Sequence, residues 1–200
     1  GDDEARLLGS GAFNGGTLNG GEGEDTLRVT FAIAAATADI SAQVSGFEVL
    51  RLDTPTGTNT VNAANFGDID SILVLGNAAN TGNNTITNVG DGATLSLTST
   101  GTADNFGTIH VLGSAGTLNV ELNGLSSSGG TDDGTIHAVH ATTIAVTTNA
   151  TDEVSPATSP FAQKLDLDAA TTLTIAGNAG IDLTAAGNDI ALVTDLDASG

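Results

Sequence analysis

Gly20 to Arg28 reads Gly-Gly-Glu-Gly-Glu-Asp-Thr-Leu-Arg, a complete instance of the nonapeptide G-G-x-G-x-D-x-U-x from which calcium-binding parallel β-rolls are built. Gly20, Gly21 and Gly23 permit backbone with positive φ, so a tight turn can aim its carbonyl oxygens inward. Asp25 adds a carboxylate to that oxygen cage. Leu27 then opens a short strand whose apolar side faces the core. A β-roll site is shared between stacked turns, so one nonapeptide supplies part of a coordination sphere and a neighbouring coil must supply the rest.

Outward from this stretch, short runs of β character recur between clusters of Gly, Asn, Asp and Thr, and helical periodicity is almost absent. Strands are expected at Leu27 to Phe31, Phe47 to Leu52, Ser71 to Leu75, Ala93 to Thr98, Thr108 to Leu112 and Thr117 to Leu122. Further strands are expected at Thr135 to Val139, Thr142 to Thr147, Lys164 to Leu167, Thr172 to Ile175, Gly180 to Leu183 and Asp189 to Val193. The alanine-rich stretch within Phe31 to Gln43 is the one place where a helical turn fits. The early strands recur at roughly 20 to 24 residues, and Leu173, Leu183 and Leu192 follow one another at about ten. Those intervals fit an all-β parallel β-helix, or β-solenoid, whose coils hold two or three short strands joined by Gly or Asn turns. A β-sandwich is the competing architecture.

The composition fits a thin core. Of 200 residues, 39% are hydrophobic, mostly Ala, Val, Leu and Ile, with six Phe and no Trp, Tyr, Met or Cys; that aliphatic character suits stacked coils better than a globule built on aromatics. The 30 Thr are tolerated on a solvated sheet face, with alternate residues turned inward. The segment 1–30 therefore reads as a β-roll-like calcium-binding unit and 31–200 as an irregular solenoid. Loops are expected at 124–134 (GLSSSGGTDDG) and 149–160 (NATDEVSPATSP), both polar and without strand character.

Charge excludes several functions. Twenty-four acidic residues stand against Arg6, Arg28, Arg51 and Lys164, a net charge of −20. Nucleic acid and anionic membrane surfaces both need clustered Lys and Arg, so neither is a partner. No apolar run is long enough to span a bilayer. Eighteen of the acids are Asp, scattered through turn-like settings. Asp68 and Asp70 in FGDID, Asp104 in GTADNFG, Asp53 after FEVLRL, and Asp189 in AGND are candidate calcium ligands beside Asp25. Asp182 alternates with apolar residues, as do Asp195 and Asp197, which face one side. Carboxylates held together repel, and a divalent cation reverses the sign of that interaction. Oxygen ligands without Cys favour calcium or magnesium over softer metals. A solubilising acidic surface and capped turns account for the Asp outside the nonapeptide equally well.

His110, His137 and His140 are the only histidines. His137 and His140 are an odd number apart and face opposite sides of a flat strand, so the two do not make a zinc site without a turn between them. No acid, base and binding cation stand together as a lyase or hydrolase would require, and the chain reads as non-enzymatic. Ice binding by a Thr array, as in TTIAVTT, lacks a repeat on successive coils.

The nonapeptide, the phrases VSGFEVLRLD and FGDIDSILVLG, and the cysteine-free acidic background rich in Thr, Asn, Ala and Gly resemble secreted proteins of the repeats-in-toxin type. Within that group they are most similar to the calcium-dependent crystalline surface-layer proteins of Gram-negative bacteria, the Caulobacter type. The resemblance implies type I secretion, folding in millimolar extracellular calcium, and self-association into a lattice at the bacterial cell surface, with cell-surface polysaccharide as a further partner. Only Gly20, Gly21, Gly23, Asp25 and Leu27 match the specific motif; the preceding SGAFNGGTLN is degenerate. Starting at Gly1 without Met, the chain reads as a fragment or processed piece of something longer. The alternative function is a calcium-dependent adhesin or biofilm-matrix module that binds glycans or surfaces.

Overall fold

A computed structural model describes residues 1–10, 16–76, 82–99, 106–124, 134–149, 161, 163–184 and 186–199. The unit of the fold is visible in Thr26–Thr30, where Leu27 and Val29 are buried and Thr26, Arg28 and Thr30 face outward. One such strand has an apolar face and two unpaired edges, and neither is stable alone. Both are relieved by stacking the next coil in parallel register.

The main sheet holds nine parallel strands: β1 (Glu4–Arg6), β3 (Thr26–Thr30), β5 (Val49–Asp53), β7 (Ser71–Leu75), β9 (Thr94–Thr98), β11 (Thr117–Asn123), β13 (Thr143–Asn149), β15 (Thr172–Gly177) and β16 (Asp195–Asp197). A second sheet stacks β6 (Thr60–Asn62), β8 (Asn83–Thr87), β10 (Thr108–Val111), β12 (Thr135–Ala138) and β14 (Lys164–Leu167). A short pair, β2 (Leu18–Asn19) with β4 (Val44–Ser45), forms a third face over the first coils. All these pairings are parallel, and the chain is a β-solenoid. β1 and β3 are the first two strands of the same sheet that carries the rest.

Register places like on like. Leu27, Leu50, Ile72, Leu95, Val120, Val146 and Ile175 form one ladder on successive coils. Val29, Leu52, Val74, Leu97 and Leu122 form a second, which ends on Thr148. From the opposing sheet, Val61, Ile86, Val111, Ala138 and Leu167 close the core. Phe31, Phe66, Phe106 and Phe161 are fully buried and are the bulkiest fillers. Buried Asn84 is paired on both sides: it accepts from Asn59 at 2.9 Å and donates to the Pro55 carbonyl at 3.0 Å.

The expected helical turn is present as α1 (Phe31–Ala36). Thr30 caps it by accepting from the Ile33 amide, and Phe31 and Ala34 turn inward. Two expected strands are not formed. Gly180 to Leu183 and Asp189 to Val193 contribute only single bridges, Ile181 to Phe161 and Asp189 to Asp166. Asp182 binds the amide and hydroxyl of Thr184, and Asp189 binds the amide of Ala191, so each closes a local turn instead of continuing a ladder. The loops expected at 124–134 and 149–160 lie outside the described residues except for Gly124, Gly134 and Asn149.

Leu50 stands fully buried between Leu27 and Ile72. Leu50→Ala is expected to lower the unfolding free energy by about 2–5 kcal/mol through lost transfer energy and the cavity left behind. Thr174→Ala, on the outward face, stays within about 0.5 kcal/mol of the parent. Urea unfolding of the two variants measures the contrast.

Candidate functional site

The nonapeptide occupies the corner between the third face and the main sheet. Gly21 and Gly23 adopt φ of 108° and 133°, conformations that side-chain-bearing residues rarely reach. Gly20 serves a different need. A Cβ there would collide with the carbonyl oxygen of Gly46 on the next coil and stand 2.8 Å from Asp25 Oδ2. The Asp25 carboxylate and the Gly46 carbonyl therefore converge on one face of Gly20, the position a glycine keeps open.

Asp25 is 0% exposed, unusual for a carboxylate without a cationic partner. Its Oδ1 accepts from the amide of Asp3 at 2.6 Å, and its own amide donates to Glu48 Oε2 at 2.9 Å. Asp25 Oδ2 is buried with no hydrogen-bond partner; among the described residues the only other such side-chain atom is the neutral amide oxygen of Gln163. A buried carboxyl oxygen left without a donor carries a desolvation penalty.

This corner heads a column of acids. Asp3, Asp25, Glu48 and Asp70 each precede a main-sheet strand at the same register position, and each carbonyl accepts from the strand amide one coil on, at Thr26, Val49, Ser71 and Thr94. Glu48, Asp68 and Asp70 line one cleft beside the column, together with Gly46. Glu24, Glu48, Asp70, Asp91 and Glu121 line an adjoining one that crosses the coils. Asp91 also accepts from the Thr117 amide at 2.6 Å. Of the residues expected to bind metal, Gly20, Gly21, Gly23 and Asp25 thus share the corner, and Asp68 and Asp70 share the cleft farther along the column.

The remaining expected ligands lie apart. Asp53 is the last residue of β5 and stands between two guanidiniums, Arg28 and Arg51, which also reach Glu4 at 3.3 and 3.2 Å. Its oxygens serve an ion-pair network. Asp104 lies outside the described residues. Asp182 and Asp189 form the local turns described above, and Asp195 and Asp197 lie on the exposed terminal strand β16. Asp3, Glu24, Glu48, Asp91 and Glu121 escaped the sequence reading. The signal for Glu48 was present: it follows Asp25 and precedes Asp70 at the spacing of one coil.

A second cluster lies on the outer face of the other sheet. Register aligns His110, His137 and Asp166 on β10, β12 and β14. His110 Nδ1 and His137 Nδ1 are 2.7 Å apart with the rings edge to face, while His137 Nε2 is 3.0 Å from Asp168 Oδ2 and 3.8 Å from Asp166 Oδ2. Burial, and next the charge of neighbouring His137, hold His110 below the ordinary imidazole value, against the opposite pull of Asp166. His140 is exposed in the turn beyond β12. The repeated phrase Gly-Thr-Ile-His at 107–110 and 134–137 announces the stacked histidines.

Gly20→Ala is expected to destabilise the fold by about 1–3 kcal/mol, because the Gly46 carbonyl and Asp25 must both give way. Gly90→Ala, where a Cβ meets nothing within 4 Å, serves as the control with little change. Urea midpoints of the two variants compare the sites directly.

Comparison with protein-family models, with curated proteins and with solved structures finds no match to this chain.

Proposed function

We propose that the chain is a structural, non-catalytic segment of a self-assembling bacterial surface-layer protein, stabilised by calcium at the Gly20–Asp25 corner. The observation that carries this reading is the unpartnered Oδ2 of fully buried Asp25, facing the Gly46 carbonyl across a position that Gly20 leaves open. An all-oxygen set of carboxylate and carbonyl suits a hard cation. Asp25 and Gly46 would hold it, with Glu48 and Asp3 from the adjoining coils as neighbouring acids. Bound there, calcium supplies positive charge to carboxylates that otherwise repel one another.

The chain's own residues do the rest. The glycines allow two coils to approach closely enough for their oxygens to share one ion. The amides of Asp3 and Asp25 fix the carboxylates of Asp25 and Glu48, so the corner is ordered before the ion arrives. Because solenoid coils contact mainly their neighbours, an ion shared between two coils strengthens the interface on which their stacking depends. A structural role is favoured over glycan binding by the aromatics: every Phe among the described residues is buried, which leaves none of them to stack on a sugar. No helix among the described residues is long and apolar enough to cross a membrane, and a surface lattice requires none.

Thermal unfolding in EDTA and in excess calcium tests the corner. Calcium at about 100 times its dissociation constant is expected to add about 2.7 kcal/mol, and Asp25→Asn to remove most of that gain. Superimposable curves for the parent chain in both buffers would overturn the calcium reading. Electron microscopy of the calcium-loaded protein tests the lattice separately: ordered sheets support it, and dispersed particles refute it.

A further inference from the structure

We propose that His137, Asp166 and Asp168 form a second metal site, selective for a borderline divalent transition metal of the Zn2+ type, with His110 as the group that orients His137. The site is distinct from the calcium corner in place and in chemistry. It lies on the outer face of the smaller sheet, built by β12, β14 and the turn that follows β14.

Spacing is the first argument. The His137 Nε2 and the two carboxylate oxygens all lie within 4.8 Å of one another. A tetrahedral Zn2+ with bonds of about 2.0–2.2 Å holds its ligand atoms about 3.3–3.5 Å apart. The observed separations, 3.0 Å to Asp168 and 3.8 Å to Asp166, bracket that value. Small side-chain rotations suffice to equalise them, since Asp166 is half-buried and Asp168 sits in a turn. Three protein ligands leave a fourth position for water.

Ligand chemistry is the second. One imidazole nitrogen with two carboxylates suits Zn2+, Co2+ or Ni2+, whereas calcium seeks six to eight oxygens. The two metals therefore need not compete for the two places. The third argument is the partner behind the ligand. A metal on Nε2 requires the proton on Nδ1, and His137 Nδ1 faces His110 Nδ1 at 2.7 Å, placed to accept it. That is the outer hydrogen bond by which metal-binding histidines are held in one tautomer and one ring orientation. The parallel register sets His110, His137 and Asp166 on adjacent strands at one position, and the turn after β14 brings Asp168 to the same nitrogen.

Cobalt(II) added to the calcium-saturated chain is the test, read by its visible d–d absorption, with Zn2+ competition to measure affinity. One equivalent of Co2+ is expected to give a band that Zn2+ abolishes and millimolar calcium does not. His137→Gln and Asp168→Asn are each expected to remove the band while the circular dichroism of the solenoid is kept. His110→Asn, which touches no metal, is expected to weaken binding about 10- to 100-fold, and His140→Ala to leave it unchanged. A parent chain that gives no band, or a band of equal strength in His137→Gln, overturns the site and leaves a histidine–carboxylate hydrogen-bond network. Undiminished affinity in His110→Asn overturns the orienting role.

Discussion

Parallel in-register stacking sets each side chain about 4.8 Å from its counterpart one coil away, and every other feature of this molecule answers to that spacing. Apolar residues benefit from it without further provision. A Leu above a Leu above an Ile excludes water along the whole axis, which is how an aliphatic sequence with six Phe maintains a continuous core. Outward-facing Asn profit as well, since one side-chain amide can donate to the next: Asn149 to Asn123 at 2.7 Å, and Asn88 to Asn62 at 2.8 Å.

Charged residues meet the opposite situation, because like stacks on like. Arg28 lies directly over Arg51, and the repulsion between them is relieved by Asp53 and Glu4, each of which reaches both guanidiniums. Among the described residues, no Arg or Lys forms an ion pair with the acids of the Asp3, Asp25, Glu48 and Asp70 column. Backbone amides satisfy part of their demand, through Asp3 to Asp25 and Asp25 to Glu48. What the amides do not reach is Asp25 Oδ2, and a buried unpartnered carboxyl oxygen is the feature of a stacked acid column that most favours a cation.

How much of this was legible in the sequence follows from the same geometry. Ser71–Leu75 and Lys164–Leu167 were read to the residue, and most other long strands to within one or two, because alternation along a strand is a local property. Thr60–Asn62 and Asn83–Thr87 escaped, being short or rich in Asn, which on composition alone signals turns. Gly180 to Leu183 and Asp189 to Val193 have the right alternation but lose to turns closed by Asp182 and Asp189. The corner at Gly20 to Asp25 was legible because its glycines and carboxylate are contiguous. The histidine column was not, because His110 and His137 meet across strands. His137 finds its partner on the neighbouring coil, whereas His140, three residues along, is exposed in the turn.

The distribution of cations divides the molecule. Three of the four basic residues, Arg6, Arg28 and Arg51, precede residue 52, and Lys164 alone follows. Among the first coils, then, guanidiniums match Glu4 and Asp53, and main-chain amides meet part of the demand of Asp25 and Glu48. From β14 onward, Asp166, Asp168, Asp182, Asp189, Asp195 and Asp197 accumulate around a single lysine, and two of them converge on His137. Turns absorb Asp182 and Asp189, and solvent screens the exposed Asp195 and Asp197 on β16. Asp166 and Asp168 differ in facing an imidazole whose far nitrogen is already engaged by a second imidazole. A single nitrogen, His137 Nε2, faces both carboxylates; a divalent ion in that place satisfies both, and the coil spacing that makes like charges adjacent is also what brings Asp166 beside His137.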